Sequence, residues 1–470
     1  MTNWLPNLAA GKGPLYVRLA DQMEDAIING HLPAGTKLPP QRNLAFDVKV
    51  TIGTITRAYS LLHERGLVSG EVGRGTYVLP RPNGEAANDP VSASLAGTRP
   101  FIAPDDKIRL DSTAAPDVGQ AEVLSRLMAT IARDHALDIA SYTRSFPQHW
   151  FEAGADWLAA GDWRPAPDTI VPTLGAHAAI MSVLTVLTSP GDKIVFEHFT
   201  YSQVSRSAGL AGRRTALVES DAEGVRPDDF ERVCIQQHPK MAFLMSAVQN
   251  PTLATMPVDR RRAIADIARR HNVWLIEDNL YGALMGDRLP LIATFAPERT
   301  FVINGLSKSV AAGVRGGWVA CPPHFAQRVR IAHKMMTGGL PFLLAELCAQ
   351  LVLSGEASRI RDLCRQEIDA RLAIANRELA GYDYRSAAHA PFLWLKLPEP
   401  WFSATFKQAA YNDGVLIDDE NEFKAGRSEK VSHRVRVSFS SPSDRREVTR
   451  GMSILRRLLE NGAAGYDSVA

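Results

Sequence analysis

Hydrophobic positions recur at helical spacing through the first part of the chain and are interrupted by glycines. Apolar residues at every third or fourth position, with Gly30 and Gly66 ending two of the stretches, predict three helices, over residues 15–29, 39–47 and 51–65. Two short apolar runs, 67–69 and 76–78, follow the third helix and flank a glycine-rich turn. Three helices followed by a β-hairpin predict a winged helix-turn-helix.

The pattern changes twice beyond this module. Residues 80–106 contain prolines and glycines separated by small polar residues, so they are expected to form an extended linker. From residue 107, helical stretches alternate with apolar runs suited to buried strands, which lie at 193–196, 241–245, 273–276, 300–303 and 318–321. The chain is therefore predicted to divide into a module 1–79, a linker 80–106 and a domain 107–470.

The alternation of strands and helices predicts an α/β domain with a mostly parallel sheet and helices on both faces. Past about Leu340, long helical stretches lead to two strand-like runs, 392–397 and 434–439, and a last helix ends near Leu459. This tail predicts a small α+β subdomain at the C-terminal end.

Composition excludes several classes of protein. The chain has 470 residues, 45% of them hydrophobic, and a formal net charge of +2, so nucleic-acid binding would have to use a local basic surface. Its four cysteines stand singly, without the spacing of a metal site, which predicts free thiols in a reducing cytoplasm and no bound metal. No apolar run approaches the roughly 20 residues that span a bilayer, so no membrane association is expected.

A lysine within a run of small residues carries the main chemical signal. Lys308 follows Ser307 inside the segment Gly305–Trp318, and the segment Glu277–Tyr281 closes an apolar run upstream. Pyridoxal phosphate needs an amine with which to form a Schiff base, and Lys308 is predicted to be that nucleophile. The ring nitrogen of the cofactor needs a carboxylate, and Asp278 stands at the C-terminal end of a predicted strand, where α/β sheets bind ligands.

The other groups of the cofactor have matching residues elsewhere in the chain. Its phenolic oxygen needs hydrogen-bond donors, and Asn250 and Tyr281 stand at neighbouring strand ends. Its ring face needs an aromatic partner, for which Tyr201 is the candidate. Its phosphate needs a helix N-terminus, a cation and hydroxyl groups, and the predicted phosphate ligands are Gly175, Ala176, His177, Ser307, Ser309 and Arg315.

The order of these residues along the chain resembles that in the fold-type I aminotransferases, and the resemblance extends over about residues 107–459. The resemblance implies that Arg436 would grip the carboxylate of an effector or substrate, and that Tyr142 would reach the phosphate site of a neighbouring subunit. The chain departs from the family at Leu253, where many relatives carry glycine, and these departures argue against efficient transamination. The acidic residues 418–420 are expected to form a solvated loop; alternatively, they would favour an effector with a second amino group.

The N-terminal module resembles the winged helix of the GntR family on the motifs Gly30–Pro39, Gln41–Ala45, Thr54–Tyr59 and Gly66–Tyr77. The third helix would enter the major groove of double-stranded DNA, and the tip of the hairpin would reach the minor groove. Ile52 stands where many relatives carry arginine, which suggests a different operator sequence. The predicted DNA contacts are Arg42, Lys49, Thr51, Thr54, Arg57 and Arg74.

A winged helix, a linker and an aminotransferase-like domain together resemble the MocR subfamily of GntR regulators. The resemblance implies a cytoplasmic homodimer, with or without exchange of DNA-binding heads between subunits, that binds pyridoxal phosphate. A small amino compound would displace Lys308 from the cofactor by aldimine exchange and alter binding to the operator. Two alternatives stay open: an active aminotransferase with an appended DNA-binding head, and a DNA-binding protein that has lost the cofactor.

Overall fold

The computed structural model describes residues 14–33, 35–71, 75–79, 106–286, 289–426, 428 and 430–462, together with Pro6. These residues fall into two compact units, with 14–79 in the first and 106–462, apart from 430–431, in the second. The predicted linker up to residue 105 and the predicted DNA contact Arg74 lie outside the described residues. No described helix is both long and apolar enough to cross a membrane.

The first unit contains three helices and an antiparallel pair of strands, which are α1 Leu15–Ile28, α2 Gln41–Asp47, α3 Ile52–Glu64, β1 Val68–Glu71 and β2 Gly75–Val78. Helices α1 and α3 pack together through buried residues at helical spacing, including Leu19, Met23 and Ile55. Thr51 caps α3, because its side-chain oxygen accepts a hydrogen bond from the Thr54 backbone N–H (3.3 Å). This is the winged helix-turn-helix that the sequence predicts.

The second unit alternates strands and helices along most of its length. Its strands are β3 Ile108–Arg109, β4 Ile170–Thr173, β5 Lys193–Glu197, β6 Arg214–Val218, β7 Ser220–Asp221, β8 Gly224–Val225, β9 Met241–Leu244, β10 Trp274–Asp278, β11 Thr300–Gly305, β12 Gly317–Ala320, β13 Tyr384–Arg385, β14 Phe392–Lys396, β15 Val415–Leu416, β16 Asp418–Asp419 and β17 Arg434–Ser438. Its α-helices are α4 Gln120–Asp134, α5 Ala136–Ile139, α6 Gln148–Leu158, α7 Gly175–Leu187, α8 Ser202–Leu210, α9 Pro227–Gln237, α10 Val258–Arg270, α11 Gly282–Met285, α12 Ile292–Phe295, α13 Ala326–Thr337, α14 Phe342–Leu353, α15 Glu356–Glu378, α16 Ser403–Asn412 and α17 Arg445–Asn461. Short 3-10 helices span Pro167–Thr169, Ala312–Val314 and Glu420–Phe423.

The central sheet of this unit has, within the described residues, the strand order β4-β12-β11-β10-β9-β5-β6. All of its strands run parallel except β12, which is antiparallel to both neighbours. Alternate residues of β11 enter different hydrophobic clusters, with Phe301 and Ile303 in one and Val302 in another, so both faces are covered. The carboxyl ends of the parallel strands meet at one edge, which is where ligands bind in such sheets.

A smaller antiparallel sheet, in the order β13-β14-β17-β16, forms the C-terminal part of the second unit. On the middle strand β17, Arg436 lies opposite Trp394 on one side and Asp418 on the other. Strand β15 pairs instead with β3, with Val415 opposite Ile108, and this pairing ties the start of the unit to its C-terminal part. The mostly parallel sheet and the smaller α+β part are those that the sequence predicts.

Candidate functional site

Lys308 lies just beyond the carboxyl end of β11. Its Nζ donates a hydrogen bond to Thr113 Oγ1 (2.9 Å), and that oxygen shares a second hydrogen bond with Tyr281 Oη (2.8 Å). The backbone N–H of Ala115 donates to the Ser307 carbonyl (3.1 Å), which holds the Thr113 segment beside the lysine. The sequence predicts Tyr281 at this position but not Thr113, because no motif marks a threonine 195 positions before the lysine.

Asp278 ends strand β10, which neighbours β11 in the sheet. The residue is 5% exposed, and its Oδ1 accepts a hydrogen bond from the Leu280 backbone N–H (3.0 Å). Burial raises the pKa of Asp278 to about 6, although the Leu280 N–H and the charge of Lys308 act to lower it. A buried carboxylate of this kind is stabilised by a neighbouring cation, such as a protonated ring nitrogen.

Asn250 lies on the loop after β9, the strand on the other side of β10. Its side chain is buried, and its Oδ1 accepts a hydrogen bond from Arg436 Nη1 (2.8 Å). This bond orients the amide, so that its N–H groups are the part that can donate to a ligand oxygen. The sequence places a donor at Asn250 without indicating its contact with Arg436.

The predicted phosphate ligands lie around the N-terminus of α7. Gly175, the first residue of the helix, has a φ of +82°, and a Cβ on it would come within 3.2 Å of the Arg315 carbonyl oxygen. The structure thus brings the helix N-terminus and the Arg315 segment into close approach. Burial and the charge of Arg315 both lower the pKa of His177, which keeps that ring neutral and near the arginine.

One donor of this helix terminus is already used by the protein. The Leu174 backbone N–H donates to His333 Nε2 (3.0 Å), and burial lowers the pKa of His333 to about 4, so the ring is neutral and can accept. Because Leu174 is occupied, a phosphate would be left with the amide groups of the following residues, Gly175 and Ala176. The sequence gives no indication of the His333 contact.

The other two predicted tyrosine ligands, Tyr201 and Tyr142, lie in different surroundings. The Tyr201 ring is half-buried and meets the His177 ring edge-on, with 6.5 Å between centroids, and its Oη donates to Gln203 Oε1 (2.5 Å). It therefore lies beside the helix terminus that is predicted to hold the phosphate. Tyr142 is 91% exposed, so its predicted reach into a neighbouring subunit stays a prediction.

Arg436, the predicted partner of a ligand carboxylate, is bound to a carboxylate of the chain itself. It is 3% exposed, and its Nη2 lies 2.6 Å from Asp418 Oδ2 and 3.0 Å from the Asp111 carbonyl oxygen. The guanidinium also lies over the rings of Phe423 and Phe392, at 4.7 and 5.4 Å from their centroids. Charge, hydrogen bonds and aromatic faces thus hold this side chain in place.

The prediction that residues 418–420 form a solvated loop is wrong, because all three acidic side chains are buried. Asp418 and Asp419 form strand β16, and strand alternation points them to opposite faces of the small sheet. Asp419 pairs with Lys407 on α16 (3.0 Å), while Glu420 accepts hydrogen bonds from the Ser432 backbone and hydroxyl (2.6 and 2.8 Å). Local polarity suggested solvent, whereas each acid has a partner within the fold.

The described residues fit pyridoxal phosphate. Lys308 offers an amine, Asp278 a buried carboxylate and Asn250 an amide donor along adjoining strand ends. Among the predicted phosphate ligands, His177 Nδ1 and Ser309 Oγ are buried polar atoms with no hydrogen-bond partner in the described part of the chain. Such atoms are costly unless a ligand satisfies them.

The predicted DNA contacts cluster where α2 and α3 begin. Arg42, Lys49 and Thr51 are exposed there, and Thr54 is half-buried, with its hydroxyl 2.9 Å from that of Thr51. Arg57, one turn along α3, is also exposed and lies over the Tyr16 ring at 6.0 Å, so part of its role is packing. These side chains present a basic and polar surface at the start of the predicted recognition helix.

Two known protein families match the chain, one in each of its two compact units. Residues 105–454 match the family described as Aminotransferase class I and II, and residues 15–78 match the family of bacterial regulatory proteins named gntR. An archaeal alanine:glyoxylate aminotransferase has the same fold, with a TM-score of 0.68 at 23% identity over 76% of this chain and 91% of that one. The cofactor implied by this family is pyridoxal phosphate.

Similar proteins share both parts. The chain is 31% identical over 462 residues to the uncharacterized HTH-type transcriptional regulator YdeF of Bacillus subtilis, covering 98% of this chain and 97% of the relative. It is 25% identical to the probable rhizopine catabolism regulatory protein MocR of Rhizobium meliloti, covering 78% of each. The chain therefore belongs to the aminotransferase class I and II family over most of its length and, with its GntR winged helix, is a DNA-binding transcriptional regulator of the MocR type.

Proposed function

We propose that this regulator senses a primary amine at Lys308, and that binding of the amine changes its affinity for operator DNA. The observation that supports this most directly is the position of Lys308 Nζ. It is hydrogen-bonded to Thr113 at the carboxyl ends of the strands, near Asp278 and Tyr281. An amine-binding position in a chain with a DNA-binding helix can couple a small molecule to transcription.

The residues around Lys308 support the chemistry of amine exchange. Pyridoxal phosphate, when bound, supplies an aldehyde carbon to which primary amines add. Lys308 Nζ, Thr113 Oγ1 and Tyr281 Oη form a hydrogen-bonded row, along which a proton can reach or leave the lysine nitrogen. Asp278 would hold a positive charge on the ring nitrogen, since that charge compensates its buried carboxylate.

Coupling to DNA would operate through two subunits. A cytoplasmic homodimer would place two winged helices on paired half-sites of a double-stranded operator, whether or not the heads exchange between subunits. In this arrangement residues 1–79 bind DNA, 80–106 connect, and 107–470 bind the cofactor and effector. The effector shifts the arrangement only if it binds the two states with unequal affinity.

The variant Lys308→Ala tests the proposal. We expect the purified protein to lose the visible absorption band of lysine-bound cofactor, and its gel shift on the upstream intergenic DNA to become indifferent to added amines. Lys240→Ala is the matched control, because Lys240 is an exposed lysine that precedes β9, at the opposite edge of the sheet. A band that persists in Lys308→Ala would refute the assignment of the lysine.

The same protein tests the two alternatives. An active aminotransferase would transfer an amino group from a donor amine to a keto acid at rates near those of ordinary transaminases. A protein that has lost the cofactor would show no visible band in the unmodified chain at any concentration of pyridoxal phosphate. Operator binding that ignores every amine tested, in a protein with cofactor bound, would contradict the sensing function.

A further inference from the structure

Arg436 and Asp418 face each other across two antiparallel strands, with both side chains buried. Their 2.6 Å contact is an ion pair within the chain, formed where the resemblance to aminotransferases implies the carboxylate of a ligand. The segment Asp111–Thr113 connects this ion pair to Lys308. Arg436 also donates to the carbonyl of Asp111, and Thr113, two residues later, accepts from Lys308 Nζ.

The guanidinium has no free pair of parallel N–H groups for a second carboxylate, although its buried Nε has no hydrogen-bond partner within the described residues. Its Nη1 donates to Asn250 Oδ1 and its Nη2 to both Asp418 and Asp111, while aromatic rings lie against it. The strong mode of carboxylate recognition by arginine uses two parallel N–H groups at once. A ligand acid could adopt this mode only by displacing one of the groups already bound.

Asp418 is poorly placed to move aside. Its backbone belongs to β16, which is paired with β17 so that Asp418 stands directly opposite Arg436. Displacement would break a buried ion pair, which lowers affinity for the incoming acid by about a hundredfold or more. A ligand carboxylate entering beside Asp418 without displacing it would instead meet a like charge in a buried site.

The neighbouring acids Asp419 and Glu422 contact other cations. Asp419 points to the other face of the sheet and pairs with Lys407, whose positive charge lowers the pKa of Asp419 against the opposing effect of burial. Glu422 lies 3.5 Å from Arg206. Asp418 also contributes to the negative charge around Lys407, but the direct contact of its carboxylate is with Arg436, at 2.6 Å.

We infer that the effector of this regulator is a primary amine with no acidic group, and that Asp418 is the residue that determines this specificity. The inference rests on the proposed amine sensing at Lys308. Asp418 takes the position on Arg436 that a ligand carboxylate would otherwise take, so the chain supplies the acid itself. This opposes the carboxylate-gripping role that the resemblance implies for Arg436.

The test compares three probes of equal carbon number on the protein with pyridoxal phosphate bound: 1-aminopentane, 2-aminopentanoate and 5-aminopentanoate. Titration of each probe, followed by the visible absorption of the bound cofactor, gives an apparent affinity, which is expressed per unprotonated amine. We expect 1-aminopentane to bind at least about tenfold more tightly than either acid. Tighter binding of either aminopentanoate by the unmodified protein would overturn the inference.

Substitution of the acid should reverse the preference. Asp418→Asn keeps the shape of the side chain and leaves Arg436 charged, so binding of the aminopentanoates relative to 1-aminopentane should rise about tenfold or more. Asp419→Asn is the matched control, since it removes the adjacent buried acid on the other face and should leave the ratio unchanged. An unchanged ratio in a folded Asp418→Asn protein would refute the assignment of Asp418.

The outcomes separate this inference from the function on which it rests. If no probe changes the absorption of bound cofactor in the unmodified protein, amine sensing at Lys308 fails and the inference fails with it. If the probes act but the acids are preferred, only the inference fails. If Asp418→Asn does not fold, the ranking of the three probes by the unmodified protein still decides the question.

Discussion

Asp278 shows how one buried group can link the fold to its cofactor. In the unfolded chain its carboxyl has an ordinary pKa of 3.8, whereas burial raises the pKa in the folded protein to about 6. The folded state therefore binds a proton more tightly, and ionisation of the group makes folding less favourable. This cost is absent below the unfolded pKa, grows as the pH rises towards about 6 and is constant above it.

Asp278→Asn should therefore have opposite effects on the protein with and without cofactor. Without cofactor, the variant should be more stable than the unmodified chain above pH 6, by about 2 to 3 kcal/mol, and equally stable below pH 4. Asparagine keeps the oxygen that accepts from Leu280. Denaturant unfolding followed by tryptophan fluorescence measures this difference, because every described tryptophan lies in the second unit.

Binding of pyridoxal phosphate should instead weaken in Asp278→Asn, because the carboxylate that would pair with the ring nitrogen is gone. A loss of stability at pH 8 in the cofactor-free variant would contradict this account. Unchanged cofactor affinity would show that Asp278 does not face the ring.

At the residue scale, the sequence predicts those site residues that stand at strand ends and misses those that depend on long-range pairing. Lys308, Asp278 and Asn250 each follow an apolar run, and the carboxyl ends of neighbouring parallel strands converge. Thr113 and Asp418 are different. Each contacts the site only through a strand pairing or a loop contact that hydrophobic spacing does not specify, and Asp418 lies in an acidic run whose polarity resembles that of a solvated loop.

At the element scale, the start of α3 depends on a single cap. Thr51 Oγ1 accepts from the Thr54 N–H, and the cap leads into the helix predicted to read DNA. Thr51→Ala should destabilise this first turn by about 1 kcal/mol. Amide hydrogen exchange in the first turn of α3 of the full chain should then become about fivefold faster.

Thr51→Ser is the control for this prediction, because serine keeps the capping oxygen and should restore slow exchange. Thr51 is also a predicted DNA contact, so the two roles can be separated. If Thr51→Ala binds operator DNA more weakly while exchange in α3 is unchanged, the residue acts through DNA contact and not through the cap.

The elements themselves follow closely from the sequence where hydrophobic spacing is strong. The helix predicted over 51–65 spans Ile52–Glu64, and the apolar runs of the second unit become buried strands of the central sheet. A two-residue strand is too short to show the alternation of hydrophobic and polar residues that marks a strand in the sequence. The pairing of β15 with β3 and the existence of β16 are therefore set by tertiary contacts rather than by local sequence.

At the scale of the whole molecule, the resemblance to aminotransferases predicts a homodimer in which a tyrosine of one subunit reaches the phosphate site of the other. Tyr142 is the candidate, and its 91% exposure in the single chain leaves the side chain available to a second copy. Leu137, on the nearby helix α5, is 85% exposed as well.

Mixed dimers provide the decisive experiment for this arrangement. Tyr142→Ala alone should weaken binding of pyridoxal phosphate at both sites of the dimer, and Lys308→Ala alone should abolish the visible band. In a mixed dimer of these two variants, one site combines an intact Lys308 with an intact Tyr142 from the partner, and the other site has neither. Random co-assembly should thus restore the tight site in about a quarter of all sites, measured by titrating cofactor against visible absorption. If tight binding does not return on mixing, while sedimentation shows that mixed dimers form, Tyr142 acts within its own subunit or not at all.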